Sequence, residues 1–368
     1  MKNLSMLAST ALIILAVCSL GSAQSRTENV ILITLDGARL QEMFGGLDGP
    51  IFRSTDKNFE KNATYKKFNA ATPIERREKL MPFFWTELMK NHGSIAGNRG
   101  LNSIVKTTNK HFFSYPGYSE LVTGEAHDAE INTNSFGQNR WPSFLNFLQK
   151  KMKLSREQAA AFGSWDAIEH IATNDPKAFV VNSGPKGFDT SRKDLAELNE
   201  AVSLTIGPAM SVRPDYFTYR FALDQMKRHH PRAMFISFGE TDDWAHQRDY
   251  EKYLQSWHNT DAMLKGLWTF IQGDRQYRGK TTIIITIDHG RGNTDKDWDD
   301  HGEDVPEAQY IWMAFISPDL PMRGEWKDSA EIYQNQVAAT LTRFMGFDYA
   351  EQNPNAGKPI ANLFMRGQ

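Results

Sequence analysis

Four short apolar runs punctuate the chain, and each is bounded by polar or turn-forming residues. Residues 30–35 (VILITL) run into Asp36-Gly37, and 233–238 (AMFISF) stop before Glu240-Thr241-Asp242. Residues 281–287 (TTIIITI) give way to Asp288-His289-Gly290, and 310–317 (YIWMAFIS) form the fourth run. Such runs, rich in β-branched and aromatic residues and without alternation, predict strands buried on both faces. Residues 159–163 and 178–181 read as two weaker strands. Helical spacing lies between them. Residues 142–151 place Phe144, Leu145, Phe147 and Leu148 on one side, and 216–229 follow the start signal Pro214-Asp215. Residues 248–272 carry a stripe of Tyr253, Leu254, Trp257, Leu264, Leu267, Trp268 and Ile271, the pattern of a core-facing helix. A last amphipathic helix over 330–345 is stopped by Gly346. Strands alternating with helices predict an α/β fold, with a mostly parallel central sheet covered by helices on both faces. In such sheets ligands bind beyond the carboxyl ends of the strands, where Asp36, Asp242, Asp288 and His289 fall. Residues 41–110 are polar and turn-rich apart from an apolar patch at 80–85. They read as an excursion with one or two helices near the substrate cleft.

Composition changes the picture at the N-terminus. Lys2, an apolar stretch over 7–20 and the small residues Gly21-Ser22-Ala23 predict a secretory signal peptide over 1–23, too short and wrongly flanked for a membrane anchor. Residues 15–18 resemble a lipobox, but Val17 is too large for the position before the cysteine. Cys18 is the only cysteine of the 368 residues. Its loss with the signal leaves a chain without disulfides or thiolate ligands, expected in the periplasm or outside the cell. Residues 24–368 then form a single catalytic domain. A net charge of −2 gives no basic field for a nucleic-acid polymer. No later apolar run reaches the ~20 residues of a membrane span.

The chemistry lies at the strand ends. Asp288-His289 pairs a carboxylate with an imidazole, both zinc ligands; alone it reads better as a turn with an incidental histidine. Asp242 and His246 are four apart, so one helical turn puts them on the same face; Asp243, three before His246, is the alternative. An acidic helix start would look the same, since Asp is favoured in a first turn. His301 lies in an acidic loop and supplies a third imidazole. Ser114, two residues before Pro116, sits at the start of a helix whose first residue is read as Pro116. Free N–H groups there favour a phosphate oxygen. A simple capping serine is the plain alternative. Together, Asp36, Ser114, Asp242, His246, Asp288, His289 and His301 supply three carboxylates, three imidazoles and a hydroxyl. That is the inventory for two closely spaced divalent metals with a serine nucleophile between them, zinc first and manganese or magnesium as alternatives.

With these segments the chain resembles the alkaline phosphatase superfamily, and within it the nucleotide pyrophosphatase/phosphodiesterase branch. The resemblance implies that Asp36, Ser114, Asp288 and His289 hold one metal and Asp242, His246 and His301 the other. It also implies that Tyr115 offers a ring for stacking and that Asn134, or else Asn132, contacts a phosphate oxygen. Gly117-Tyr118 stands where that branch has Asn-His. Tyr118 also occupies the place of the arginine in the sulfatase signature, which argues against a sulfatase.

The expectation is an exported, metal-dependent phosphoric ester hydrolase acting on a small-molecule phosphate ester through Ser114 and a phosphoserine intermediate, as a phosphodiesterase or phosphomonoesterase. A phosphomutase-like phosphoryl transferase and a catalytically inactive metal-binding homologue are the alternatives.

Overall fold

The computed structural model describes residues 26–321 and 323–364. The signal-peptide reading of 1–23, Cys18 included, lies outside the described residues.

Ten strands form: β1 Asn29–Leu35, β2 Gly93–Ala96, β3 Val105–Lys106, β4 Ala159–Gly163, β5 Val180–Ser183, β6 Ala233–Phe238, β7 Thr281–Thr286, β8 Met313–Ile316, β9 Gly324–Glu325 and β10 Ile332–Tyr333. Eight of them make one sheet in the order β5-β4-β6-β1-β7-β8-β2-β9, and β10 pairs with β3 separately. In the large sheet the pairings are parallel except those of β8 with β7 and β2. The fold is therefore α/β with a mostly parallel sheet flanked by helices, as expected. β1, β6 and β7 are buried along their whole length. Each fully buried Val, Leu or Ile there contributes roughly 1.5–3 kcal/mol of transfer free energy.

β1 sits where the winding reverses: β4, β5 and β6 lie to one side and β7 to the other. The carboxyl ends of β1 and its two neighbours thus open a crevice at the topological switch point. The expected long helix is Tyr250–Gly273, and its stripe is buried at Tyr253, Leu254, Trp257, Leu264, Leu267 and Ile271. The helix expected over 330–345 is shorter, Val337–Phe344, because β10 takes the preceding residues. Gly346 ends it with φ of +84°.

The 41–110 segment holds more structure than the sequence shows. It contains most of Leu40–Gly45, the helices Gly49–Thr55, Ala63–Phe68 and Pro73–Leu80, and a π-helix, Phe84–His92. Its helices are short and capped by polar residues such as Asp48, Asn62 and Thr72, so no apolar period had room to show. The segment packs along the long helix: Asp48 N–H donates to Tyr250 Oη at 2.8 Å, and Phe83 and Phe84 N–H donate to the Asp261 carboxylate. Its strand β2 enters the sheet beside β8. Among the described residues its side chains make no hydrogen bond to the seven site residues.

A fully buried ion pair joins this segment to the strand that carries Asp36. Arg39 Nε lies 3.1 Å from Glu42 Oε2, both side chains having no exposure. Tyr250 Oη donates to Glu42 Oε1 at 2.8 Å. Removing Glu42 leaves the buried Arg39 charge with Asp48 Oδ2, 3.4 Å from its Nη2, as its remaining carboxylate contact among the described residues. Glu42→Ala is expected to cost about 3–5 kcal/mol in urea unfolding. Arg39→Met with Glu42→Met should recover most of that loss, and a single Glu42→Ala cost below about 1 kcal/mol would show that the pair does not anchor the crevice.

Candidate metal centre

Three strand ends deliver the acids. Asp36 follows β1, its N–H donating to Phe238 O at 2.9 Å. Gly37 then turns with φ of +52°, and a Cβ there would meet Arg291 Nε and Asp242 Oδ1 at 2.8 Å. Its N–H donates to Asp288 Oδ1 at 3.0 Å, tying the β1 and β7 ends together. β6 leads into the short helix Glu240–His246. One turn of that helix brings Asp242 Oδ2 to 3.1 Å from His246 Nε2. His301 arrives on a loop, its Nε2 3.0 Å from His246 Nε2.

The result is two adjacent groups, Asp36-Asp288-His289 and Asp242-His246-His301. His289 Nε2 lies 3.4 Å from Asp36 Oδ1, 3.4 Å from Asp288 Oδ2 and 3.4 Å from Ser114 Oγ. A tetrahedral ion with bonds of ~2.0–2.1 Å separates its ligands by roughly 3.3–3.4 Å. His289 Nδ1 is engaged by Gly290 O at 2.9 Å, which turns Nε2 toward the cluster. Asp36 Oδ1 and Asp288 Oδ2 are buried with no hydrogen-bond partner. Buried carboxylate oxygens in that state are costly unless a cation meets them. Spacing, donor chemistry and orphaned oxygens fit a divalent metal in the first group, and the donor set of Asp242, His246 and His301 fits one in the second. Asp243 belongs to neither group, so Asp242 is the aspartate the helix turns inward.

The proton affinities carry the same strain. Burial and the Asp36 charge push the Asp288 carboxyl well above its usual range. Burial pulls the His289 imidazole down, but Asp288 and Asp36 outweigh it and raise it to about 9. Burial and then His289 lower His246; burial, His289 and Arg291 hold His301 well below normal. The second group is thus biased toward neutral imidazoles, the ligand form.

Ser114 is brought to the first group by the buried helix Ser114–Thr123. It is the first helical residue rather than its cap, and Phe113 takes the cap position without a side-chain bond. Pro116 is consequently the third residue, not the first; a first turn needs no N–H from it, so the ring is tolerated. Asn134 is exposed, and its Oδ1 accepts from Tyr115 N–H at 2.9 Å. The stacking role expected of Tyr115 is corrected: its ring has no exposure, its hydroxyl donates to Gly137 O, and its edge packs on Phe136. Helical phase, which cannot be read from proximity to a nucleophile, turns it into the core.

Several supporting residues escaped the sequence reading. Tyr118 is fully buried and donates to Asp36 Oδ2 at 3.1 Å, while accepting from Ser237 Oγ. Gln334 donates to the carbonyls of Ile287 and Asp288. Glu120, on the far side of the serine helix, accepts from Thr108 and Asn109 and pins the approach to Ser114. His111 bridges to Glu303, which joins the loop before Ser114 to the loop bearing His301. Only Arg291, adjacent to the Asp288-His289-Gly290 motif, gave any sequence signal. Its guanidinium reaches Asp242.

The serine helix and the β7 end meet at Gly117, where a Cβ would fall 2.3 Å from Asp288 O. Gly117→Ala is expected to cost about 1–3 kcal/mol in stability and to lower bound metal toward one per chain. Denaturation and elemental analysis check this, and an unchanged metal content would show that this contact does not hold the first group.

The family model of the Metalloenzyme superfamily matches residues 169–313, a stretch that includes Asp242, His246, Asp288, His289 and His301. No curated protein matches the chain by sequence. Solved structures share its fold. A lipoteichoic acid synthase from Listeria monocytogenes aligns with a TM-score of 0.58 at 13% identity, over 90% of this chain and 74% of the other. A phosphonate monoester hydrolase from Silicibacter pomeroyi gives 0.55 at 11%, over 93% and 78%. A protein of the alkaline phosphatase superfamily from Vibrio parahaemolyticus gives 0.52 at 11%, over 92% and 70%. These matches single out no branch: segment 169–313 resembles the Metalloenzyme superfamily, and the sheet shares its fold with these solved structures.

Proposed function

We propose that this protein is a metal-dependent phosphate-ester hydrolase with Ser114 as its nucleophile and zinc as its metal. More broadly, the family and fold support a metal-dependent hydrolase or transferase of phosphoryl or sulfuryl groups. The observation that carries the narrower reading is the position of Ser114 Oγ, which completes the 3.4 Å cluster around His289 Nε2. A serine used only as a cap would have no reason to enter a set of metal ligands. One structural relative, the phosphonate monoester hydrolase, also acts on a phosphorus compound by name.

In this reading Asp36, Asp288, His289 and Ser114 hold one ion and Asp242, His246 and His301 the other. Bound divalent cations would lower the pKa of the serine hydroxyl and shield charge on the phosphoryl oxygens. The chain supplies orientation. Helix Ser114–Thr123 aims Oγ at the crevice, and the dipole at its first turn favours an anionic ester. Ser114 Oγ bonds to phosphorus as the ester's alcohol departs, and water then cleaves the phosphoserine to free the hydroxyl and release phosphate. Asn134 would help: its Oδ1 accepts from Tyr115 N–H, which leaves Nδ2 to donate to a phosphoryl oxygen.

A sulfuryl reading would draw on the 2-O sulfatase among the structural relatives. Tyr118 speaks against it. The sulfatase signature needs an arginine there, and this tyrosine is buried against Asp36.

Ser114→Ala is expected to keep two metals per chain while turnover of p-nitrophenyl phosphate and of bis-p-nitrophenyl phosphate falls on the order of 10³-fold or more. Elemental analysis and steady-state rates decide it. Undiminished turnover in the variant would remove Ser114 as nucleophile, and faster hydrolysis of p-nitrophenyl sulfate by the wild type would overturn the phosphate reading.

A further inference from the structure

We infer that Arg291 is a fixed cation built into the metal centre, holding one oxygen of Asp242 and biasing the site toward doubly charged phosphate monoesters over singly charged diesters. This deepens the phosphate-ester reading above and rests on it for the substrate class.

Arg291 has no side-chain exposure, yet its guanidinium stands among the site residues. Nη2 bonds Asp242 Oδ1 and lies 3.5 Å from His246 Nε2. Nε donates to Gly37 O at 3.1 Å, and Nη1 donates to Asp299 O. The rigid fork is thus fixed at three corners, two of them neutral carbonyls. Gly37 makes room for it, since a Cβ there would strike Arg291 Nε. The backbone around it is equally confined: a Cβ at Gly290 would fall 2.4 Å from Tyr310 O.

Charge is the consequence. Among the described residues, the one carboxylate that Arg291 hydrogen-bonds is Asp242, whose other oxygen faces His246. Asp242 therefore serves both the arginine and the second group, one oxygen each. The Asp299 carboxylate is engaged elsewhere, by Arg248 at 2.7 and 2.8 Å. Three site carboxylates against two divalent cations leave one positive charge; Arg291 makes it two. A fixed charge acts twice as strongly on a dianion as on a monoanion at the same place. Arg291 is too deep to touch substrate, so it is a positioning residue acting through Asp242 and through its field. A lysine would keep the charge but lose the fork.

The test uses metal-replete wild type, Arg291→Met and Arg291→Lys. Binding of inorganic phosphate at pH 8 and of dimethyl phosphate is measured by calorimetry, with metal content and melting temperature recorded for each protein. The expected result is two metals in all three. Arg291→Met should bind phosphate about tenfold or more weakly than wild type, bind dimethyl phosphate within about threefold of it, and show a matching fall in the monoester-to-diester kcat/KM ratio. Arg291→Lys should restore most of the difference. Should Arg291→Met bind fewer metals, Arg291→Gln replaces it, since glutamine keeps hydrogen bonds to Asp242 without the charge. Equal losses for both anions, or no loss for either, would overturn the inference. A wild type that binds phosphate with this dependence but hydrolyses no ester would overturn the hydrolase reading and leave the role of Arg291 standing.

Discussion

The crevice depends on negative charge gathered where water cannot reach it. Asp36 and Asp288 follow adjacent buried strands, and Asp36 Oδ1 and Asp288 Oδ2 have no hydrogen-bond partner. Two carboxylates that close in a low-dielectric setting repel strongly and cannot both stay ionised without compensation. Burial first and then the Asp36 charge raise the Asp288 carboxyl, while Asp288 and Asp36 raise the His289 imidazole against its burial. A divalent cation removes the repulsion directly, and the 3.4 Å spacing matches the ligand separation such a cation imposes.

The surrounding structure keeps these groups from drifting apart. Gly37 bends the chain away from β1 and donates to Asp288, while Tyr118 holds the second oxygen of Asp36. The serine helix approaches from the other side and meets the β7 end through the bare face of Gly117. Gln334 and Glu120 fix the two partners of that meeting from behind. Small errors at any of these contacts would displace Ser114 Oγ relative to His289.

The two groups differ in exposure, which gives the centre a direction. The first is buried, whereas the His246 side chain is 46% exposed, so the centre opens to solvent at the second group. Arg291 stiffens that open side by holding Asp242 from below. The loop that reaches it, through Pro208 O and Gln247, carries the exposed apolar residues Ile206 and Met210.

Local pattern determined the strands β1, β4, β6 and β7, because fully buried parallel strands leave dense apolar runs that nothing else in the chain mimics. It also placed Asp36, Asp242 and Asp288 at strand ends, and the spacing of Asp242 and His246 on one helical face. The short capped helices of 41–110 left no period to read, and β2 joins the sheet with only four residues. The assembly of the seven site residues into two clusters rested on a resemblance in the sequence, and tertiary structure alone supplies its geometry. Which way Tyr115 turns, what Tyr118 and Gln334 hold, and where the Arg291 fork lands were decided only by packing. Those contacts join residues tens to hundreds of positions apart, and no local period carries information about a partner on another strand.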